Sequence, residues 1–595
     1  MASAPARSVW TRVLLGLCAG KIVALIVAFD PSGLIAFDLP KSLASRAFEW
    51  PMVAVLGILF ITRGRSILPR SRLHFAVVAV AAAWLIAAWG AEDRFLALFG
   101  EDDRYLGLTY LADMIVLYVA CGVAVREVRD AAILFGAIAI GAMVTLGYAA
   151  AQAVGADPFS WQSATAERPF STFGNPDHFG HFLSVLFGLS FGAFVASRGQ
   201  LGRVAGALGV TMSLAAASLV ATRGTAIGII ASIVAAPIAP ATRRRTAAAI
   251  AIAAIALLTI YAATPLGERL RATLAGAQLE DRATVYAASL RAFAARPVTG
   301  YGPDNFRIAY AQHRPSPVEL PTAATPQTSA HDWVLDAAVM TGVIGLTALV
   351  LLVGLGTLDL IALTRRVPSL GMPLLLAWSA YWAHALVAVG AIAIAWVPWV
   401  ALGIAVGLDQ RGLGQNVRRL PRFVPAVLLI GALVASATGV RVFLANRDAL
   451  AMERASAIDD AATALAAAQN AVSRDGGRAE NWNRLGLALD GLERWRASRD
   501  AYREAAARRP YEPIYWANVA RSQAHLALAG DEGAREDAIA AARRAIEADP
   551  NSPIGHTVLA EIAVAFAMCD LARTEAQLAA ALGRTDLTQL AASCR

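Results

Sequence analysis

Charge is scarce in this chain. Of its 595 residues only 16% are Asp, Glu, Lys or Arg, against 57% hydrophobic, and this excludes an ordinary soluble enzyme, in which about a quarter of residues are charged. Cysteine is scarce too: Cys18, Cys121, Cys569 and Cys594 show no metal-type spacing, and the last two can pair only if the C-terminal part lies in an oxidising compartment. A basic stripe is also missing. The formal charge of +8 comes from arginines scattered between apolar segments, so membrane topology rather than nucleic acid accounts for it.

Apolar segments of lipid length fill the first three-quarters of the chain. A spanning helix needs roughly 20 mostly apolar residues, and such segments are read near 10–29, 47–62, 74–91, 108–125, 131–154, 178–197, 204–221, 224–241, 246–264, 331–363, 371–389, 390–408 and 423–443. The first lacks a small-residue cleavage site and reads as an anchor rather than a signal peptide. Thirteen spans would put the two chain ends on opposite sides. Cytoplasmic loops retain arginine, and with the N-terminus inside they receive Arg63, Arg65, Arg70 and Arg72, Arg126 and Arg129, Arg243 to Arg245, and Arg411, Arg418, Arg419 and Arg422. The opposite loops hold far fewer. Segment 265–330 and everything after 443 are therefore expected outside the cytoplasm.

Beyond about residue 441 the sequence becomes alanine-rich and repetitive. Trp482, Leu485, Gly486, Tyr502, Ala505 and Pro510 sit at tetratricopeptide offsets, and Trp516 follows Trp482 by the 34-residue period of that repeat. The expected fold class is all-α: a polytopic bundle of about 12–13 membrane helices with a C-terminal tetratricopeptide solenoid. The domains are 1–264 and 331–443 in the membrane, a large outer loop at 265–330, and repeats at 444–595. The solenoid serves either as a spacer or as a docking surface for a peptide or partner protein.

Three ionisable residues fall on the same expected side of the membrane. His331 opens an apolar stretch where a helix meets water, and an imidazole there can act as a general base near neutrality or cap the helix it precedes. Arg223, in the short turn Ala221-Thr222-Arg223-Gly224-Thr225, either snorkels to the interface or grips an anion, which a planar guanidinium does in a fork. Arg282 shares a helical face with Tyr286, followed by a break from Pro297 to Pro303; the plain alternative is an amphipathic helix lying on the membrane. His384 is either helix-packing glue or part of a cavity. His178 and His181 have metal-type spacing but no third ligand, so no metal is expected. The carboxylates of Glu101-Asp102-Asp103 read as a solvated loop with Arg104 pointing into the cavity, and less as a divalent-ion site.

In this order the pieces resemble the O-antigen ligase and polymerase family of envelope glycan enzymes. The resemblance spans roughly residues 30 to 410 and rests on Leu39-Pro40-Lys41, Phe99-Gly100 through Arg104-Tyr105-Leu106-Gly107-Leu108, Thr172-Phe173-Gly174-Asn175-Pro176, Thr222-Arg223-Gly224, Arg282 with Tyr286, Gly300-Tyr301-Gly302-Pro303-Asp304-Asn305-Phe306, and His331 with Leu335. It implies a multi-pass protein of the bacterial inner membrane with its active site in the periplasm. It further implies a cofactor-free, metal-independent glycosyltransferase in which Arg223 and Arg282 hold the diphosphate of a polyprenyl-linked glycan and His331 activates an acceptor hydroxyl. Arg104, Tyr286 and His384 would line the donor or acceptor cavity. The acceptor is a lipid A core, a protein or, for a polymerase, another glycan; a lipid-linked glycan transporter is the reading from a different class. The family usually has Asn after the histidine, and Asp332 stands here. An ionised neighbour at that position would raise the histidine pKa.

Overall fold

The computed structural model describes residues 8–102, 104–161, 168–238, 243–274, 279–316, 326–409, 421, 423–584 and 594, and among these it is all-α, with no strand. Arg411, Arg418, Arg419 and Arg422, used above for orientation, lie outside the described residues, as does Asp103. The first helices are α1 (Val9–Val27), α2 (Asp38–Arg63), α3 (Leu73–Trp89), α4 (Arg94–Phe99), α5 (Leu108–Ala124) and α6 (Val128–Ala153). They are followed by α7 (Pro176–Ala196), α8 (Gln200–Val220), α9 (Arg223–Ala235) and α10 (Arg243–Ala263). Segment 265–330, expected as a large outer loop, contains α11 (Pro265–Leu274), α12 (Leu279–Ala295) and α13 (Phe306–His313). The membrane part resumes with α14 (Trp333–Arg366), α15 (Pro368–Ala385), α16 (Ile392–Ala395), α17 (Val397–Leu408) and α18 (Phe423–Ser456), and α18 runs unbroken through position 443.

Eight of these helices are long and apolar enough to cross a membrane: α1, α2, α6, α7, α8, α10, α14 and α18. This makes the chain a multi-pass membrane protein. Of the other expected spans, α3, α5, α9 and α16–α17 are shorter apolar helices, and α15 carries His384, prolines and tryptophans that lower its hydropathy. Inside the bundle α7 packs on α8, α9 and α15. Small residues permit the contact, as is usual where helix packing in lipid depends on close approach; a Cβ on Gly192 would come within 2.5 Å of the Pro373 backbone. Buried charge ties the N-terminal helices together. Lys21 of α1 pairs with Asp113 of α5 and donates to the Ser45 carbonyl of α2, while Lys41 donates to the carbonyls of Ala28 (2.6 Å) and Thr172 (2.7 Å).

The expected span at 331–363 is interrupted. Gly342 has φ +63°, which divides α14 into a short N-terminal piece and a longer C-terminal one, and the turn after α12 fills the break. Val343 N–H donates to the Pro297 carbonyl (2.8 Å), and the N–H groups of Tyr301 and Gly302 donate to the carbonyls of Val339 (3.0 Å) and Met340 (2.9 Å). Backbone groups freed by the break are thus satisfied by protein, the condition under which broken helices persist at membrane depth.

The C-terminal region comprises α19 (Ala461–Arg474), α20 (Ala479–Asp490), α21 (Trp495–Arg508), α22 (Pro513–Leu528), α23 (Ala534–Ala548), α24 (Pro553–Ala565) and α25 (Cys569–Ala581). These pair as successive hairpins that stack on one another, beginning from the end of α18. Cys569 is disulfide-bonded to Cys594, with Cα atoms 5.4 Å apart. The stack docks on the loops of the membrane part through charge. Arg478 pairs with Asp102; Arg509 pairs with Glu480 and lies 3.8 Å from Asp93 and 4.0 Å from Glu101; Arg314 pairs with Asp549 at 2.7 Å. The carboxylates expected to form a solvated loop are therefore partly buried partners of arginines, because the C-terminal helices cover them.

Gly342→Ala is expected to destabilise the protein by on the order of 1–3 kcal/mol, since a left-handed φ at a non-glycine residue is strained and the new Cβ would meet the Val298 carbonyl oxygen at 2.2 Å. Gly354→Ala in the same helix, where a Cβ meets nothing within 4 Å, should leave the thermal unfolding midpoint unchanged or slightly raised.

Candidate active site

His331 is held by its backbone. It adopts φ +57°, its N–H donates to Ser329 Oγ (2.9 Å), and Ser329 Oγ donates to Asp336 Oδ2 (2.6 Å), while Ala330 N–H donates to Asp336 Oδ1 (2.7 Å). One buried carboxylate on the first turn of α14 therefore folds the preceding residues into the conformation that presents the imidazole. The helix cap is Asp332, not His331: its Oδ1 accepts from the N–H groups of Val334 (2.8 Å) and Leu335 (3.1 Å), as an N-cap aspartate does.

Arg104 supports the same segment from the side. Its guanidinium lies 3.1 Å from Asp304 Oδ1, with both side chains at most 2% exposed, and donates to the Thr328 carbonyl. Asp304 in turn accepts from the N–H groups of Glu101 (2.8 Å) and Leu106 (3.2 Å). The break in α14 thus fixes Asp304, Asp304 fixes Arg104, and Arg104 fixes the strand entering His331.

Arg282, half-buried on α12, donates to the Val387 carbonyl at 3.1 Å. Arg223 is the first residue of α9, separated from the end of α8 by Ala221 and Thr222 alone, so the short turn expected there ends at it. The charges of Arg282 and Asp177 act on both Arg223 and His331, and that of Arg104 acts on His331. Arg223, Arg282, Arg104 and His331 consequently share one electrostatic neighbourhood. Tyr286, one turn beyond Arg282, is half-buried and takes no part in the hydrogen bonds that define this group. His384 is buried behind it: its ring stacks on His181 with centroids 4.2 Å apart, and a Cβ on Gly224 would stand 2.6 Å from its Nε2. His384 thus packs α15 against α7 and α9, and it is His181, expected above only as half of a metal pair, that borders the adjoining cavity.

Burial lowers the His331 pKa below its ordinary value of 6.5, and Arg282 and Arg104 lower it further, with Asp177 opposing. Asp332, whose carboxylate caps α14, is not among the charges that shift it. At pH 7 the imidazole is neutral and can accept a proton.

A cavity of about 170 Å3 opens beside Arg104, Asp304 and Asp336, with Trp333, Trp382 and Trp399 on its walls. Sequence reasoning missed Asp336 and Ser329. The only pointer to them was their position within five residues of His331, and nothing in a single sequence tells that an aspartate there turns back on the chain.

The family model described as O-antigen ligase matches residues 204–350. This part of the multi-pass membrane chain is thus similar to O-antigen ligases. Arg223, Tyr286, Arg282 and His331 lie inside that match and Arg104 and His384 outside it. Among curated proteins, no sequence matches the chain. Guanidinium groups in the same electrostatic neighbourhood as a neutral imidazole suit the departure of an anion and the removal of a proton in one step.

In a histidine-resolved NMR titration His331 should titrate below pH 6.5. Arg282→Gln should raise its midpoint by removing a neighbouring cation, and Asp332→Asn should leave it within experimental error; a clear drop in the Asp332→Asn variant would show that this carboxylate does act on the ring.

Proposed function

We propose that the protein is an extracytoplasmic glycosyltransferase that moves a glycan from a polyprenyl diphosphate to an acceptor hydroxyl. The observation that carries this reading is the shared neighbourhood of Arg223, Arg282 and His331 within the O-antigen ligase match. In the proposed step a neutral His331 nitrogen takes the proton of the acceptor hydroxyl as its oxygen bonds to the anomeric carbon. The bond from that carbon to the diphosphate breaks, and the electron pair leaves with the diphosphate. Negative charge then grows on the leaving group, where Arg223 and Arg282 stabilise it without reorganising; neither cofactor nor metal enters the step.

Two features support a site outside the cytoplasm. The C-terminal helices carry the Cys569–Cys594 disulfide, and such bonds persist in oxidising compartments. The same helices contact Asp93, Glu101 and Arg314 beside the site, so site and disulfide lie on one side of the membrane, which in a bacterial inner membrane is the periplasm. The acceptor hydroxyl belongs to a lipid A core or a protein. A protein acceptor or partner suits the hairpin stack, which we read as tetratricopeptide repeats: a Cβ on Gly486 would press within 2.5 Å of the Tyr502 ring, and those two residues hold repeat positions.

Reconstituted protein with a defined lipid-linked glycan tests the reading. His331→Ala should lose roughly 10²–10⁴-fold in transfer rate, and Arg223→Ala and Arg282→Ala each roughly 10²–10³-fold, all three with normal membrane insertion. A transporter would keep turnover without His331, so wild-type turnover by His331→Ala overturns the proposal. Because the base works in its neutral form, kcat/KM should rise with pH through a midpoint below 6.5 and stay level through pH 7.

A further inference from the structure

The cavity beside Arg104 is walled by aromatic rings in an unusual state. Trp333 and Trp382 cross at 64° with centroids 5.0 Å apart, Trp84 and Trp399 complete the lining, and the indole N–H groups of Trp333 and Trp382 are buried with no hydrogen-bond partner among the described residues. Trp399 shows the contrast, because its N–H donates to Tyr110 Oη at 3.2 Å. Buried indole N–H groups normally find an acceptor, and leaving two unmatched in one wall is costly. His181, 2% exposed, adds a third group: its Nε2 meets the Tyr381 carbonyl at 3.1 Å and its Nδ1 has no partner among the described residues. Tyr110, Thr341 and Tyr381 also line it, together with Arg104, Asp304 and Asp336, which are fixed by the network that holds His331.

We infer that this cavity binds one pyranose ring of a glycan substrate. Flat apolar walls match the C–H faces of a sugar, while the two indole donors and the charged groups match its hydroxyls, the pattern of an apolar pocket with a few convergent polar groups. A polyprenyl chain would fill the same space but offers no acceptor to Trp333, Trp382 or His181. The cavity's position explains its use. Trp333 follows His331 by two residues, and Ala388 and Val389 on the opposite wall follow Val387, the carbonyl that Arg282 holds, so a ring seated here lies next to the proposed transfer centre. The identification of the ring as substrate rests on the transfer reading; the cavity's preference for sugar does not.

The test needs no lipid-linked donor, so its outcome is separate from whether His331 catalyses transfer. Full-length protein in lipid nanodiscs is titrated with the methyl glycosides of glucose, galactose, mannose, N-acetylglucosamine and rhamnose, and binding is read by saturation-transfer NMR. At least one glycoside should bind. The double variant Trp333→Phe/Trp382→Phe, which keeps an aromatic ring at each position and removes both donors, should weaken it roughly tenfold while the protein still folds and inserts. Ala388→Leu, which fills the cavity from the other wall, should weaken it independently. Binding of none of the five, or binding unaffected by both variants, overturns the inference. Binding of farnesol that is lost in Ala388→Leu while no glycoside binds would assign the cavity to a lipid chain and overturn it equally.

Discussion

The site depends on the backbone clasp between the turn at 297–302 and the break in α14. Gly342 leaves carbonyl and amide groups of a membrane helix without helical partners, and the turn supplies them. That contact fixes the relation of α12, which carries Arg282, to the N-terminal piece of α14, which follows His331. It also sets Asp304 against Arg104, and Arg104 against the segment that enters His331. A straight helix through this position would have no reason to hold these groups together, which is why an interrupted helix appears where buried polar chemistry is required.

Around that clasp the protein spends charge in two ways. Deep in the bundle, Lys21 with Asp113, and Lys41 with the carbonyls of Ala28 and Thr172, join helices that apolar packing alone orients weakly. At the outer rim, arginines of the hairpin stack meet Asp93, Glu101 and Asp102 on the loop that leads to Arg104. The appended helices are thereby part of the surroundings of the site rather than a remote attachment. Buried ion pairs of this type fix geometry more than they add stability, and here the geometry they fix is the loop behind Arg104.

Much of the framework is legible in the sequence. Apolar length places the helices at α1, α2, α6 to α8, α10, α14 and α18, and helical periodicity with proline placement finds α12 and the turn after it. The isolation of Arg223, Arg282 and His331 marks them as worth joining. Other features depend on contacts between residues distant in the chain. The break at Gly342 is invisible because glycine inside an apolar run also serves helix packing, as at Gly192. The partners of Glu101 and Asp102 are about 400 residues away, so an acidic loop reads as solvated until the C-terminal helices are placed over it. The choice between packing and cavity for His384, and the place of His181 at the cavity, stay open in the sequence because they depend on the rotation of α15 against α7, which a helix apolar on most of its faces does not specify.

The most direct test of the account is a cryo-electron microscopy map of the full-length protein in nanodiscs with polyprenyl diphosphate bound, at a resolution that shows side chains. The account predicts the diphosphate between Arg223 and Arg282, with the His331 ring facing it and the 297–302 turn still seated in α14. A diphosphate bound elsewhere, or one of these side chains directed away from it, would contradict the account.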